Sequence, residues 1–494
     1  MTDHSLFYCT TADSAEIYWE KPHDAAPSAM YSVFLDGKPA GQTDRTHFTL
    51  EPLRVDTAYT AEVHCGDAVI GCAVLRTSKA RRRLNAHDFG ATGDGRTMDT
   101  KSLQAAIDAC GPEDEVYLPA GVYRTGALRL HSRMSLYVDA DAVLQGTDRP
   151  EDYLPKIPSR FEGIEQMCYS SLLNLGHLDH RAGPNCHDVL IYGKGTISGG
   201  GQPLAEAVIE KERESLKGYL SAHAELVASC ENDSTIPGRA RPRLINMSNC
   251  QNIRITGLTL QNGASWNVHM IYSRDIVTDH CIFRSKGIWN GDGWDPDSSE
   301  NCTLFACRFY TGDDAVAIKS GKNPEGNEVA RPARHIRVFD CVSELGHGIT
   351  IGSEMSGGVE DVRIWDCDLA QAVYGFEIKG TAKRGGYVRD IHLLDCVVAR
   401  VLIHAVGYND DGVPAPEPPV FQHFKFTRIQ ILGQSLAGDG TVKVCPAVEM
   451  QGFDAQGHEI CDVQFVDCTV GASSKGLCLQ QCTEVSFLNL RCME

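Results

Sequence analysis

Six short segments of alternating apolar residues, each built around a cysteine, recur through the second half of the chain: TDHCIF (278–283), LFACRF (304–309), VFDCVS (338–343), IWDCDL (364–369), LLDCVV (393–398) and FVDCTV (465–470). Cys281, Cys307, Cys341, Cys367 and Cys396 are 26, 34, 26 and 29 residues apart. A repeat in this range marks a solenoid, in which no unit buries its apolar face without its neighbours. The unit holds short strands and turns with no crossover helix, which predicts an all-β architecture, a parallel β-helix. Its cysteines then form an inward-facing ladder stacked about 4.8 Å apart, where a small polarizable side chain packs well.

The rest of the chain predicts a second domain. Residues 1–80 show alternating segments at Ala15–Trp19, Tyr31–Leu35 and Leu53–Val63, with an Asp36-Gly37 turn. An early-strand Trp and a Leu…Thr-x-Tyr-x-x-x-Val run resemble a fibronectin type III sandwich with its tyrosine corner. The basic run Lys79–Arg83 reads as a solvated linker, which assigns 81–494 to the solenoid. Within it, Asp99 or Thr100 is expected to cap a helix whose Leu103, Ile107 and Cys110 share one face. A helical insertion is expected around Gly201–Ala228.

Charge and cysteine usage narrow the function. With 46 basic and 65 acidic residues the net charge is −19. Such a surface repels phosphate backbones, so nucleic acid is not an expected partner, and any acidic ligand needs a locally basic pocket. No run of 18 apolar residues exists to span a membrane. The amino terminus lacks a basic stretch followed by an apolar one. Twenty cysteines without a CxxC pair are therefore expected to be reduced thiols of a cytoplasmic protein, with no metal site among them and no cofactor.

The densest acids lie at 290–301 (NGDGWDPDSSEN) and 311–321 (TGDDAVAIKSG). Asp292 precedes Asp313 and Asp314 by about one coil, which places these carboxylates on adjacent rungs on the order of 5 Å apart. Clustered carboxylates repel, so at least one is expected to keep its proton at neutral pH. An acid beside a base is what glycosidic cleavage requires. His347, in Gly346-His347-Gly348, and Lys379 follow in the same register.

In order, Asn290-Gly291-Asp292, Gly312-Asp313-Asp314, Gly346-His347-Gly348 and Glu377-Ile378-Lys379 resemble the motifs Asn-x-Asp, Gly-Asp-Asp, Gly-His-Gly and Arg-Ile-Lys of the polygalacturonase family, glycoside hydrolase family 28. The opening DFGATGDGRTMDT and the Pro119-Ala120-Gly121 turn resemble that family's first coil, and IKSG with an appended N-terminal domain resembles its bacterial exo-acting branch. The resemblance implies a right-handed β-helix and an inverting hydrolase of galacturonate-containing pectic oligosaccharides. It makes Asp313 the general acid, with Asp292 and Asp314 holding and deprotonating the water and His347 setting the acid's protonation. Asn290, Lys379 and Tyr408 become substrate-binding residues, Lys379 meeting the uronate carboxylate and Tyr408 packing on the sugar.

One departure stands out. Glu377 occupies the place of the family's Arg, so a bidentate carboxylate contact is replaced by a negative charge. Arg384 is expected to supply the missing guanidinium or to pair with Glu377, which otherwise pairs with Lys379 or receives sugar hydroxyls. If Glu377 opposes a carboxylate read by Lys379, Glu377→Arg is expected to improve cleavage of plain oligogalacturonides. Three alternatives remain open: a hydrolase of rhamnogalacturonan or xylogalacturonan, a pectate-lyase-type elimination enzyme suggested by Asp279-His280, and a non-catalytic glycan-binding solenoid. The stretch containing His177, His180, Cys186 and His187 is expected to wall the substrate pocket rather than bind metal.

Overall fold

The computed structural model describes residues 5–407, 412–436 and 440–493. Two compact units emerge, one of Met1–Arg83 with Gly111–Glu115 and one of Leu84–Cys110 with Val116–Glu494.

The first unit has a three-stranded and a four-stranded antiparallel sheet, with the core between them formed by Ile17, Trp19, Tyr31, Val33 and Val63. The expected strands appear at Ala15–Tyr18 and Tyr31–Leu35; the third begins only at Ala58, after a turn. Tyr59 explains that late start. Its hydroxyl oxygen accepts the Arg54 N–H at 2.8 Å, which holds the chain in a corner rather than letting it extend.

The second unit is the right-handed parallel β-helix. Three long sheets of 13, 13 and 11 strands run along it, each strand pairing in parallel with its equivalents on the rungs before and after. In the first sheet Ile276, Cys302, Ile336 and Val362 lie side by side, so the coils consume 26, 34 and 26 residues. The longer coil carries the helix Glu325–Val329.

The repeated residue before the cysteine explains the corner between sheets. His280, Ala306, Asp340, Asp366, Asp395 and Asp467 all have φ between 48° and 54°. Asp adopts this left-handed conformation more readily than bulky or branched residues, which is why Asp-Cys recurs. The turn then directs the next side chain inward. Cys281, Cys307, Cys341, Cys367, Cys396 and Cys468 are all buried, and the Cys281 N–H points at Cys307 Sγ (3.4 Å) as the Cys367 N–H does at Cys396 Sγ (3.5 Å). All twenty cysteines are free thiols. A thiol titration in denaturant without reductant is therefore expected to find close to all 20; oxidation of most of them in freshly isolated protein would contradict the ladder.

The helix Thr100–Asp108 forms with Leu103 and Ile107 buried, but neither expected cap makes a side-chain cap. Asp99 instead accepts the N–H groups of Thr92 and Gly93 (2.8 and 3.1 Å), tying down the preceding loop. The helical insertion comprises Gly201–Ser215, Lys217–Ala222, Ala224–Ser229 and Thr235–Gly238. A hairpin, Ile157–Phe161 with Ile164–Cys168, forms a second excursion from the coils.

Candidate active site

Backbone hydrogen bonds between coils align the motif residues. The Gly312 N–H donates to Gly291 O (3.3 Å) and the Gly293 N–H to Asp314 O (2.9 Å), which sets Asp292 one rung from Asp313. The row continues: the His347 N–H donates to Asp313 O (3.0 Å), the Tyr374 N–H to His347 O (3.2 Å) and the Arg400 N–H to Tyr374 O (3.0 Å). Such close stacking explains the Gly-x-Gly motif. A Cβ at Gly346 (φ +100°) would meet Asp313 O at 2.4 Å, and one at Gly348 (φ +99°) would meet Gly375 O at 2.2 Å.

A cavity of about 590 Å³ opens over this row, within the roughly 300–1,000 Å³ usual for small-molecule sites. Asn290, Asp292, Asp313, Asp314, His347, Lys379 and Arg384 all line it. So do Lys319 and Lys322, and the four cations place positive charge among the carboxylates of the cavity, where an acidic ligand on a chain of this charge would need it. Tyr408 lies outside the described residues.

His347 organises the acids. Its Nδ1 is 2.9 Å from Asp313 Oδ1 and 3.2 Å from Asp314 Oδ1. Burial opposes its charge, yet the two carboxylates push it up to about 11, so it is an imidazolium at neutral pH. Asp314 takes a further hydrogen bond from Thr350 Oγ1 (2.7 Å). Burial raises its pKa, but Lys379 and His347 outweigh that and hold it below the usual carboxylate range. Asp313 is the most exposed of the three catalytic candidates, at 24% against 3% for Asp292 and 6% for Asp314. Asp313, Asp314 and His347 bring their polar atoms within 4.8 Å of one another, a residue set able to ligate a metal; here the imidazole nitrogen is already ion-paired to both carboxylates.

Among the three catalytic candidates, Asp292 carries a raised pKa of the kind expected in the cluster. Burial, followed by the Asp295 carboxylate, pushes it well above the ordinary range. Its Oδ2 is 3.4 Å from Lys319 Nζ, while Oδ1 is buried without a hydrogen-bond partner.

Asp295 was not anticipated. It is fully buried, neither oxygen has a hydrogen-bond partner, and burial raises its pKa strongly against the opposing charge of Lys319. Lys319 itself pairs with Glu354 (3.3 Å) and Asp292 and lies 4.8 Å over the Trp266 ring. A raised carboxyl binds its proton more tightly folded than unfolded, so its contribution to stability falls as pH rises above its unfolded value near 4. Asp295→Asn is accordingly expected to gain steadily on the parent as pH rises from 4 to 7. Melting curves across that window check this; a pH-independent difference would mean that Asp295 is ionised.

Several expectations need correction. Glu377 is 2% exposed and pairs with Lys379 (Oε2–Nζ 3.1 Å) and His404 (Oε1–Nε2 2.7 Å), so it is not positioned to receive sugar hydroxyls. Arg384 does not pair with Glu377: it binds Asn323 Oδ1 and Ser353 O, each at 2.8 Å. Asn290 Oδ1 accepts from Arg241 Nη2 at 2.6 Å, an anchor at the cavity edge. The histidine-rich stretch does not line the cavity; His180 pairs with Glu165 and His187 with Asp188. The wall comes from Glu162 in the hairpin and from Ser229, Cys230, Glu231 and Thr235 of the helical insertion. An Arg239–Glu162 ion pair of 2.7 Å joins the two excursions. Asp279 is spent on Arg254, with two contacts of 2.9 and 3.0 Å, and stands apart from the cavity.

The chain is similar to known proteins over most of its length. Residues 83–147 match the family Rhamnogalacturonase A/epimerase, pectate lyase-like. The chain is 27% identical to an exo-poly-alpha-D-galacturonosidase of Dickeya chrysanthemi, over 97% of this chain and 88% of that one. It is 34% identical to a probable polygalacturonase of Vitis vinifera, over 62% of this chain and 58% of the relative. Among solved structures, the family 28 exopolygalacturonase of Yersinia enterocolitica superposes with a TM-score of 0.79 at 22% identity, covering 99% and 98% of the two chains. The exopolygalacturonase of Thermotoga maritima gives 0.69 at 26% identity, covering 83% and 91%. Residues 161–409, which contain every motif of the aligned row, match Glycosyl hydrolases family 28, and the chain belongs to that family of glycoside hydrolases.

Proposed function

We propose that this chain hydrolyses polygalacturonate and its oligosaccharides from a chain end, with inversion at the anomeric carbon. The observation that carries the reading is an acid row and four cations sharing one cavity that is walled by the hairpin and the helical insertion. Similarity to an exo-poly-alpha-D-galacturonosidase over nearly the whole chain supports the same substrate and mode.

The roles follow from exposure and charge. Asp313 is the most exposed of the three carboxylates and pairs with the His347 imidazolium, so the pair serves as the acid that protonates the leaving oxygen. Asp314, held ionised, is the base that deprotonates the water, and Asp292 helps to hold that water. Inversion is the outcome that the family resemblance implies, with water attacking the face opposite the departing oxygen. The anomer first released, read by proton NMR, therefore tests the stereochemical part directly: the β anomer from an α-linked chain supports inversion, the α anomer overturns it.

Product analysis on oligogalacturonides, rhamnogalacturonan and xylogalacturonan fragments tests the rest. Short products from the outset, with viscosity of the polymer falling slowly, are expected. Rapid loss of viscosity would overturn the chain-end mode, and products absorbing in the near ultraviolet as unsaturated uronides would overturn hydrolysis. We infer further that the N-terminal unit is a fibronectin type III-like sandwich, on the strength of its Trp19 core and Tyr59 corner. The reduced cysteines favour work in the cytoplasm, on pectic fragments already taken up.

A further inference from the structure

Lys379 faces the cavity with a carboxylate on either side. Its Nζ lies 3.1 Å from Glu377 Oε2, and its charge is the main one stabilising ionised Asp314. The contact with Glu377 is an ion pair without hydrogen-bond alignment, and Glu377's other oxygen is held by His404 at 2.7 Å. In-register pairing accounts for the arrangement. Thr350 lies beside Glu377 and Lys379 beside His404, and neighbours on successive rungs project from the same face. The resulting order, His347, Asp314, Lys379, Glu377, His404, sets the Lys379 ammonium between two carboxylates.

A cation whose field is already shared by two carboxylates gains less from a third than a cation facing one. A guanidinium at position 377 would have added a donor fork for a substrate carboxylate; the carboxylate there subtracts from the one cation beside it. We propose that Glu377 is a positioning residue that weakens selection for a free carboxylate where the substrate meets Lys379, so that the site accepts galacturonides with a methyl-esterified or neutral residue at that position. This rests on the polygalacturonate reading above.

The test uses trigalacturonates carrying one methyl ester, at each residue in turn, beside the free acid. For the native protein, one ester position is expected to leave kcat/KM within roughly threefold of the free acid. Glu377→Gln returns Lys379's charge to the substrate, and is expected to raise discrimination against that same ester to about tenfold or more, through KM with kcat little changed. His404→Leu, whose side chain cannot hydrogen-bond and so leaves Glu377 wholly to Lys379, is expected to move the ratio the other way and serves if Glu377→Gln does not fold. A purely structural role for Glu377 would lower melting temperature without moving the ratio, and ratios unchanged in both variants overturn the inference. So does a native protein that rejects the ester at all three positions by roughly a hundredfold. Failure to cleave any trigalacturonate, free acid included, would instead overturn the polygalacturonate reading beneath it.

Discussion

Asp313→Asn is expected to lower kcat by about 10²–10⁴-fold while leaving the fold intact. The side chain is the most solvent-accessible of the catalytic carboxylates, and its principal partner is His347 at 2.9 Å. An amide keeps the shape and can still accept from the imidazolium, but it has no proton to deliver to a leaving oxygen. The expected signature is a collapse of kcat with KM and melting temperature close to the parent's. Turnover retained within an order of magnitude would remove Asp313 from the acid role and shift attention to Asp292, whose carboxyl burial pushes well above the ordinary range.

Glu377→Arg is expected to destabilise the protein by about 3–5 kcal/mol, the range for replacing one partner of a buried ion pair. Lys379 and His404 both face Glu377, which is 2% exposed, so the introduced guanidinium would be buried against two basic side chains that lose their carboxylate partner. Denaturant unfolding measures the loss. This reverses the expectation drawn from the motif, in which a guanidinium there repairs a missing substrate contact. The motif comparison assumes that position 377 faces the sugar; pairing with its neighbours makes it a support for Lys379. An unfolding midpoint equal to the parent's would place Glu377 outside the charged row.

The architecture was legible because a solenoid writes itself locally. Each Asp-Cys corner encodes a left-handed residue followed by an inward thiol, and repetition of that pair at coil-length intervals identifies the β-helix without long-range information. The same arithmetic put Asp292 one coil from Asp313 and anticipated a retained proton, because mutual repulsion depends only on proximity. Its owner depended on burial, which separates Asp292 from Asp313 and is invisible in a string of acids.

Residues that matter by partnership were not legible. Asp295 looks like one more turn acid until the coil buries it, and Lys319 looks like a solvated lysine until four carboxylates and the Trp266 ring surround it. A coil-length offset from Asp297 to Lys319, which form a parallel bridge, was the available signal. Tyr374 joins the row only because its N–H bonds to His347, and Glu162 meets Arg239 across 77 residues because two excursions fold toward one another. By itself the sequence determined the coil, the inward ladder and the order of the catalytic motifs, all set by local backbone preference and a fixed rise per rung. Only the tertiary structure decided which carboxyl holds the proton, which residues wall the cavity and whether Glu377 faces a sugar or a lysine, since these turn on burial and on side chains brought together from distant coils.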